Sequence, residues 1–285
     1  MQQNQSILSY KRGRYLKLAL WFCALAIVVY IWHEPPVVYI KPYGGTWLGY
    51  TLGTIAAALI VWLMWLGIRK RRYASNLGSV QGWTSAHVYL GTSLIIIATL
   101  HSAFEFGWNI HTLAYALMIT VIVSGFFGIY AYLRYPEMMT GNLAGETLES
   151  LLLKISDLDR KCRKLALDLP DEINTIVLKA TRAHPRELAV GNSMRRQITA
   201  INADCPTRAA CDALLRVGGK LNPEQARING QLLSEMTRKS ALTDRVRRDL
   251  RYRALMRIWL FFHVPLSFAL LAALTAHIVS VFYYW

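Results

Sequence analysis

Five apolar stretches dominate the chain, and each is long enough to cross a lipid bilayer as a helix. They cover about Leu16–Trp32, Trp47–Ile68, Ser85–Phe106, Leu113–Leu133 and Ile258–Tyr284. A helix rises about 1.5 Å per residue, so about 20 residues cross a hydrocarbon layer of about 30 Å. The sequence therefore predicts an all-α integral membrane protein with five transmembrane helices.

The first stretch follows the basic segment KRGRYLK, which is also typical of a signal peptide. No small-residue cleavage site comes after it, and the chain runs into HEPPVVYIKP instead. We therefore expect the first stretch to be retained as a membrane span.

Basic residues are distributed unevenly between the predicted loops. Lys11, Arg12 and Arg14 precede the first span, four basic residues follow the second, and segment 141–255 holds 21 basic and 14 acidic residues. The alternate loops contain Lys41 and no other basic residue. Because cytoplasmic loops are enriched in Lys and Arg, we expect a multi-pass protein of a bacterial-type inner (cytoplasmic) membrane, with the N-terminus inside and the C-terminus outside.

Four of the seven histidines form two matching frames. Residues 87–101 read HVYLGTSLIIIATLH and residues 263–277 read HVPLSFALLAALTAH. Residues 14 apart in a helix are separated by about 21 Å along the axis and by only about 40° around it. Both spans run in the same direction, so His87 and His263 are predicted at the cytoplasmic depth, and His101 and His277 at the outer depth.

An imidazole inside a membrane requires a polar partner, because an unpaired polar group there costs several kcal/mol. Ligation of haem iron by one ring nitrogen, with the other nitrogen bonded to an acceptor, meets that requirement. The alternatives are hydrogen bonds to a hydroxyl or carbonyl of a neighbouring helix, a proton relay, or a metal ion without haem. A single metal ion cannot use histidines at both depths.

The paired frames resemble the di-haem four-helix core of transmembrane b-type cytochromes. That core occurs in the cytochrome b of quinol-oxidising complexes and in the ferric reductase and NADPH oxidase superfamily. The resemblance implies two haem b groups, with His87 and His263 on the inner iron, and His101 and His277 on the outer iron. The chain departs from these families, since it shows no G-x-G-x-x-G pattern and no stretch that matches their quinol-site motifs.

Other residues are assigned roles around this core. Gly91 lies four residues after His87, where a missing side chain would let a porphyrin approach. Arg134 lies at the inner rim, where haem propionates would emerge, although positive-inside charge also explains it. His111 is expected to be a solvated loop residue or a partner of an outer propionate. A patch of small residues in the fourth span predicts close helix packing; it consists of Ser124, Gly125 and Gly128.

The sequence divides into residues 1–140 with four spans, a basic helical cytoplasmic insert at 141–255, and residues 256–285 with the fifth span. Helical patterns cover about 148–165 and 170–181, and a third runs uninterrupted from Pro223 into the fifth span. The segments HPRELAVGNS and DCPTRAAC are predicted as loops or short turns. The cysteine spacing of DCPTRAAC is unlike that of iron–sulfur or zinc sites, so structural cysteines are expected.

The sequence thus favours transmembrane electron transfer through two b haems, linking a cytoplasmic or quinone-pool redox partner to an outer-face partner. No catalytic residue is assigned, and an electron-transfer subunit of an oxidoreductase is expected rather than a stand-alone enzyme. The alternatives are a quinone-reactive oxidoreductase subunit and a haem-free membrane scaffold or sensor. The basic insert suits an acidic redox protein or anionic lipid, whereas nucleic acid is not expected because no recognition motif is present.

Overall fold

The computed structural model describes residues 7–33, 44–72, 78–182 and 205–283. The described residues are helical and contain no β-strand, which confirms the predicted all-α class. Lys41, the HPRELAVGNS loop and the end of the C-terminal tail lie outside the described residues.

Eight α-helices follow a short 3₁₀ segment at Ile7–Gly13. They are α1 (Arg14–Trp32), α2 (Trp47–Arg71), α3 (Val80–His101), α4 (Ile110–Leu143), α5 (Leu148–Ala166), α6 (Asp171–Arg182), α7 (Pro206–Gly218) and α8 (Pro223–Tyr283). Five of them, α1 to α4 and α8, include a segment long and apolar enough to cross a membrane. The five predicted membrane helices are therefore confirmed by length and composition.

Two helices extend further than a single membrane span. Helix α4 continues through Pro136 to Leu143, ten residues past the predicted end of the fourth span. It stops where Ala144 and Gly145 adopt positive φ angles of 49° and 82°, a conformation that cannot continue a right-handed helix. Helix α8 is one element of 61 residues, which confirms the predicted uninterrupted helix.

The prediction of a loop at DCPTRAAC is wrong, because helix α7 begins at Pro206 inside this segment. Proline is favoured in the first turn of a helix, where its missing N–H would be unsatisfied in any case. The following residues include alanines and leucines, which have high helix propensity. The two cysteines therefore flank and enter a helix, and both are free thiols.

The chain forms two compact units. Unit 1 comprises Met1–Tyr130 and Trp259–Trp285, and unit 2 comprises Ala131–Ile258. In unit 1, α3 packs closely on both α1 and α2. Its core also takes in Met118 of α4 and Leu270 of α8, so side chains of all five apolar helices meet in this unit.

Unit 2 is a small helical bundle built from α5, α6, α7 and the first part of α8. The apolar residues of α5 recur every three to four positions, and Leu151, Ile155, Leu158 and Cys162 are buried. One side of α5 contacts α6, α7 and α8, and the other contacts Val246 of α8. The predicted packing of this helix against α8 is therefore confirmed.

A charged pair lies inside unit 2. Lys239 Nζ is 2.6 Å from Asp159 Oδ1, and the two side chains are only 1% and 5% exposed. The same ammonium group donates a hydrogen bond of 2.8 Å to the carbonyl of Ala180. This contact ties α5, α6 and α8 together through charged groups removed from water.

Candidate functional site

The four frame histidines all belong to unit 1. His87 and His101 lie on α3, and His263 and His277 lie on α8. All four are half-buried. The ring centroids of His101 and His277 are 6.0 Å apart, with an interplanar angle of 80°. His87 and His263 are close enough to interact electrostatically.

The histidines of α3 are held by backbone carbonyls of α2. His87 Nδ1 lies 3.1 Å from the carbonyl oxygen of Leu63, and His101 Nδ1 lies 2.8 Å from that of Gly49. A carbonyl only accepts hydrogen bonds, so each Nδ1 carries the proton, and in a neutral ring Nε2 keeps its lone pair. The two carbonyls are 14 residues apart on α2, the same spacing as the histidines on α3.

His263 is held by a serine of α4. Ser124 Oγ lies 2.7 Å from His263 Nδ1, and Ser124 Oγ also donates to the Val121 carbonyl over 2.7 Å. A hydroxyl has one hydrogen, which is used on the carbonyl, so Ser124 accepts from His263 Nδ1. His263 therefore has the same tautomer as His87 and His101, with the Nε2 lone pair available.

His277 is held by a second histidine. Its Nδ1 is in contact with His111 Nδ1, and the two ring centroids are 4.4 Å apart in a T-shaped arrangement. His111 lies in the first turn of α4 and is exposed. The sequence treated it as a solvated loop residue or a propionate partner, whereas the structure places its ring against a frame histidine.

The contacts define two layers at opposite ends of the histidine frames. We call them the His87 layer, with Leu63, His87, Ser124 and His263, and the His101 layer, with Gly49, His101, His111 and His277. In both layers every frame histidine uses Nδ1 for its neighbour. Within the described residues no hydrogen bond reaches the Nε2 atom of any of the four.

Apolar side chains fill the space between the two layers. Each lies about midway between the two layer residues on its own helix, about two helical turns from either, and is buried in the core of unit 1. These residues are Ala56 of α2, Leu94 of α3, Met118 of α4 and Leu270 of α8. The polar layers are therefore separated by a dry apolar layer.

Glycines of α2 make room beside the histidines. A Cβ atom on Gly53 would lie 2.6 Å from His101 Cε1, so only glycine permits this ring position. Gly67 lies 14 residues further along α2 and has open space where its Cβ would be. Sequence reasoning missed this pair, although its spacing equals that of the histidine frames. A Cβ on Gly91 would meet Leu63 Cδ1 at 3.7 Å, an ordinary contact, and its proposed haem role stays a prediction.

The small-residue patch of α4 accommodates a tryptophan of α8. A Cβ atom on Gly128 would lie 2.1 Å from Trp259 Cζ2. The indole Nε1 donates a hydrogen bond of 2.8 Å to the Ser124 carbonyl, and the ring packs 5.2 Å from that of His263. The patch thus serves close packing, as predicted, while Ser124 also binds a frame histidine, which the sequence did not indicate.

Two arginines of the predicted inner rim have different surroundings. Arg134 is exposed and belongs to unit 2. Arg69 is buried, and its guanidinium donates hydrogen bonds to the carbonyls of Arg72 and Gly78. Arg69 therefore joins the two ends of the connection between α2 and α3.

The cysteines of unit 2 are thiols in apolar surroundings. Cys162 and Cys205 are buried, Cys211 is half-buried, and burial raises the pKa of the Cys211 thiol. In the ranges that the structure describes, no three His, Cys, Asp or Glu side chains converge on a point that could hold a metal ion.

Comparison of the chain with models of protein families, with curated proteins and with solved structures finds no match in any of the three. The case for a function therefore rests on the two histidine layers.

Proposed function

We propose that the protein is a membrane cytochrome that transfers electrons through two b haems. His87 and His263 would hold one haem, and His101 and His277 the other. The observation that carries the proposal is the common state of the frame histidines, in which Nδ1 is bonded and Nε2 is open. Metal-ligating histidines have this arrangement, with the second nitrogen donating to a carbonyl or another acceptor.

The distances in the His101 layer support the proposal. Two metal–nitrogen bonds of about 2 Å, with the distance from each nitrogen to its ring centre, require roughly 6 Å between the two ring centroids. The centroids of His101 and His277 are 6.0 Å apart. A cluster of three or more protein ligands is not required, because a porphyrin brings four nitrogens of its own.

Hydrogen bonds to hydroxyl or carbonyl groups alone do not explain the layers equally well. Such bonds account for Nδ1 of each ring and leave every Nε2 without a partner, which is costly in a membrane. They also give no reason for the equal spacing of Gly49 and Leu63 on α2 and of the histidines on α3.

Each bound haem would supply a one-electron iron couple. The protein residues hold the ligands in one tautomer, exclude water through the apolar middle layer, and separate the two layers by about 21 Å along the helix axis. That separation suits transfer across a bilayer between redox partners on its two faces. From the basic loops, the His87 layer would face the cytoplasm and the His101 layer the outer side.

The experiment is an optical spectrum of the purified full chain with haem quantification. We expect a b-type spectrum after dithionite reduction and two haems per chain. His87→Ala and His263→Ala should each remove the same haem, and His101→Ala the other. His33→Ala, at the end of α1 and outside both layers, is the matched control and should keep both haems. A colourless protein refutes the proposal, and loss of one and the same species in His87→Ala and His101→Ala refutes the pairing.

Addition of a quinol to the oxidised protein separates a pure relay from a quinone-reactive subunit. Haem reduction by quinol in the isolated chain would place quinone chemistry within this subunit. If dithionite reduces the haems and quinol does not, a protein partner must provide the electrons.

A further inference from the structure

The two histidine frames are held in different ways. On α3, both histidines donate to backbone carbonyls of α2, which no side-chain substitution removes. On α8, both histidines are held by side chains of α4, namely Ser124 in the His87 layer and His111 in the His101 layer. Substitutions at these two positions can therefore change the surroundings of one layer at a time.

The contact of His277 with His111 places two ring nitrogens together. Two protonated Nδ1 atoms would repel each other, and two unprotonated ones would have no hydrogen to share, so one proton lies between them. For His277 to present an open Nε2 like the other three frame histidines, that proton must belong to His277 Nδ1. His111 Nδ1 is then the acceptor, and the proton of His111 is on its Nε2.

We infer that His111 is the positioning residue of the His101 layer, and that its Nδ1 orients His277 and raises the basicity of His277 as an iron ligand. The inference rests on the proposed function. Ser124 has the corresponding position in the His87 layer, but its hydroxyl is a weaker acceptor because its hydrogen is already bound to Val121. The two layers therefore differ in the electron density that reaches the ligand from α4.

A more basic ligand stabilises the oxidised iron, since hydrogen bonding around axial ligands tunes the reduction potential. Removal of the His111 acceptor should therefore raise the midpoint potential of the His101-layer haem. Loss of such a partner changes metal affinity by roughly tenfold or more. A tenfold change in the ferric-to-ferrous ratio corresponds to about 59 mV for a one-electron couple.

The test is an optical redox titration with low-temperature EPR of the purified full chain carrying its haems. The variants are His111→Ala, His111→Gln and the matched control Ser124→Ala, with His101→Ala to identify the haem of its layer. We expect His111→Ala to raise the potential and shift the EPR signal of the His101-layer haem, or to release that haem alone. His111→Gln, whose amide oxygen accepts a hydrogen bond, should restore most of the wild-type behaviour. Ser124→Ala should affect only the His87-layer haem.

Three results would overturn the role of His111. They are an unchanged His101-layer haem in His111→Ala, equal changes of both haems in that variant, and a His111→Gln variant no better than His111→Ala. These results require two haems in the wild-type protein. A wild-type protein without haem instead refutes the proposed function, and this inference with it.

Discussion

We expect Lys239→Met to destabilise unit 2 by about 3 to 5 kcal/mol, the range for removing one partner of a buried ion pair. The magnitude follows from the surroundings of Asp159. Its side chain is 5% exposed, Lys239 Nζ lies 2.6 Å away, and Asp159 Oδ2 has no hydrogen-bond partner among the described residues. Without the lysine, a buried carboxylate remains with its charge uncompensated, so the upper half of the range is expected.

The pair of Lys154 and Glu146 provides a matched control in the same unit. Its Nζ–Oε2 distance is 2.5 Å, almost the same as in the buried pair, but the side chains are 53% and 28% exposed. Water and salt screen such a pair, and the long side chains lose entropy when they form it. Lys154→Met should therefore change the stability of unit 2 very little, although the same charge is removed.

The thiol of Cys162 serves as the probe. It is fully buried on α5, one turn after Asp159, and it reacts only when unit 2 opens. Its labelling rate is measured by mass spectrometry on the full chain under native conditions. Because about 1.4 kcal/mol corresponds to a factor of ten, Lys239→Met should accelerate labelling by about 10² to 10⁴, and Lys154→Met by no more than about threefold.

The double variant Lys239→Met with Asp159→Leu completes the test. Replacing both charges by apolar groups is often neutral or stabilising, so labelling of Cys162 should return close to the wild-type rate. The reasoning is refuted if Lys239→Met accelerates labelling by less than tenfold, or if the double variant is as open as the single one.

Three further substitutions probe the histidine layers. Gly53→Ala should displace the His101 ring, cost about 1–3 kcal/mol, and deplete the His101-layer haem in the optical spectrum; an unaltered spectrum would contradict the close approach. Leu94→Ala, in the middle layer, should lower stability by about 2–5 kcal/mol, measured by thermal unfolding, with both haems kept. Gly128→Ala should push Trp259 away and lower the melting temperature, and an unchanged melting temperature would contradict the 2.1 Å separation.

The membrane helices were predictable because hydropathy is a property of each segment alone. Trp47–Ile68 and α2 differ by only a few residues, and the uninterrupted helix from Pro223 was also expected. The helix ends were less predictable. Pro136 did not end α4, whereas the positive φ angles of Ala144 and Gly145 did, and such backbone angles depend on surrounding contacts as well as on residue type.

Segment DCPTRAAC shows the limit of local patterns in unit 2. Its short apolar pattern gave no clear period, so a loop was expected. In the fold, Ala210 and Leu214 of α7 are buried against the neighbouring helices. Packing of an apolar face supplies most of the stability of a short helix, and that contribution is invisible in an isolated segment.

The sequence by itself determined which residues form the two frames, because 14 residues are close to four helical turns whatever the neighbours are. Only the tertiary structure decided what each histidine touches: the carbonyls of Gly49 and Leu63, the hydroxyl of Ser124 and the ring of His111. The reason is physical. Spacing along one helix is set by its own backbone geometry, whereas contacts between helices depend on the relative rotation and depth that their packed side chains impose.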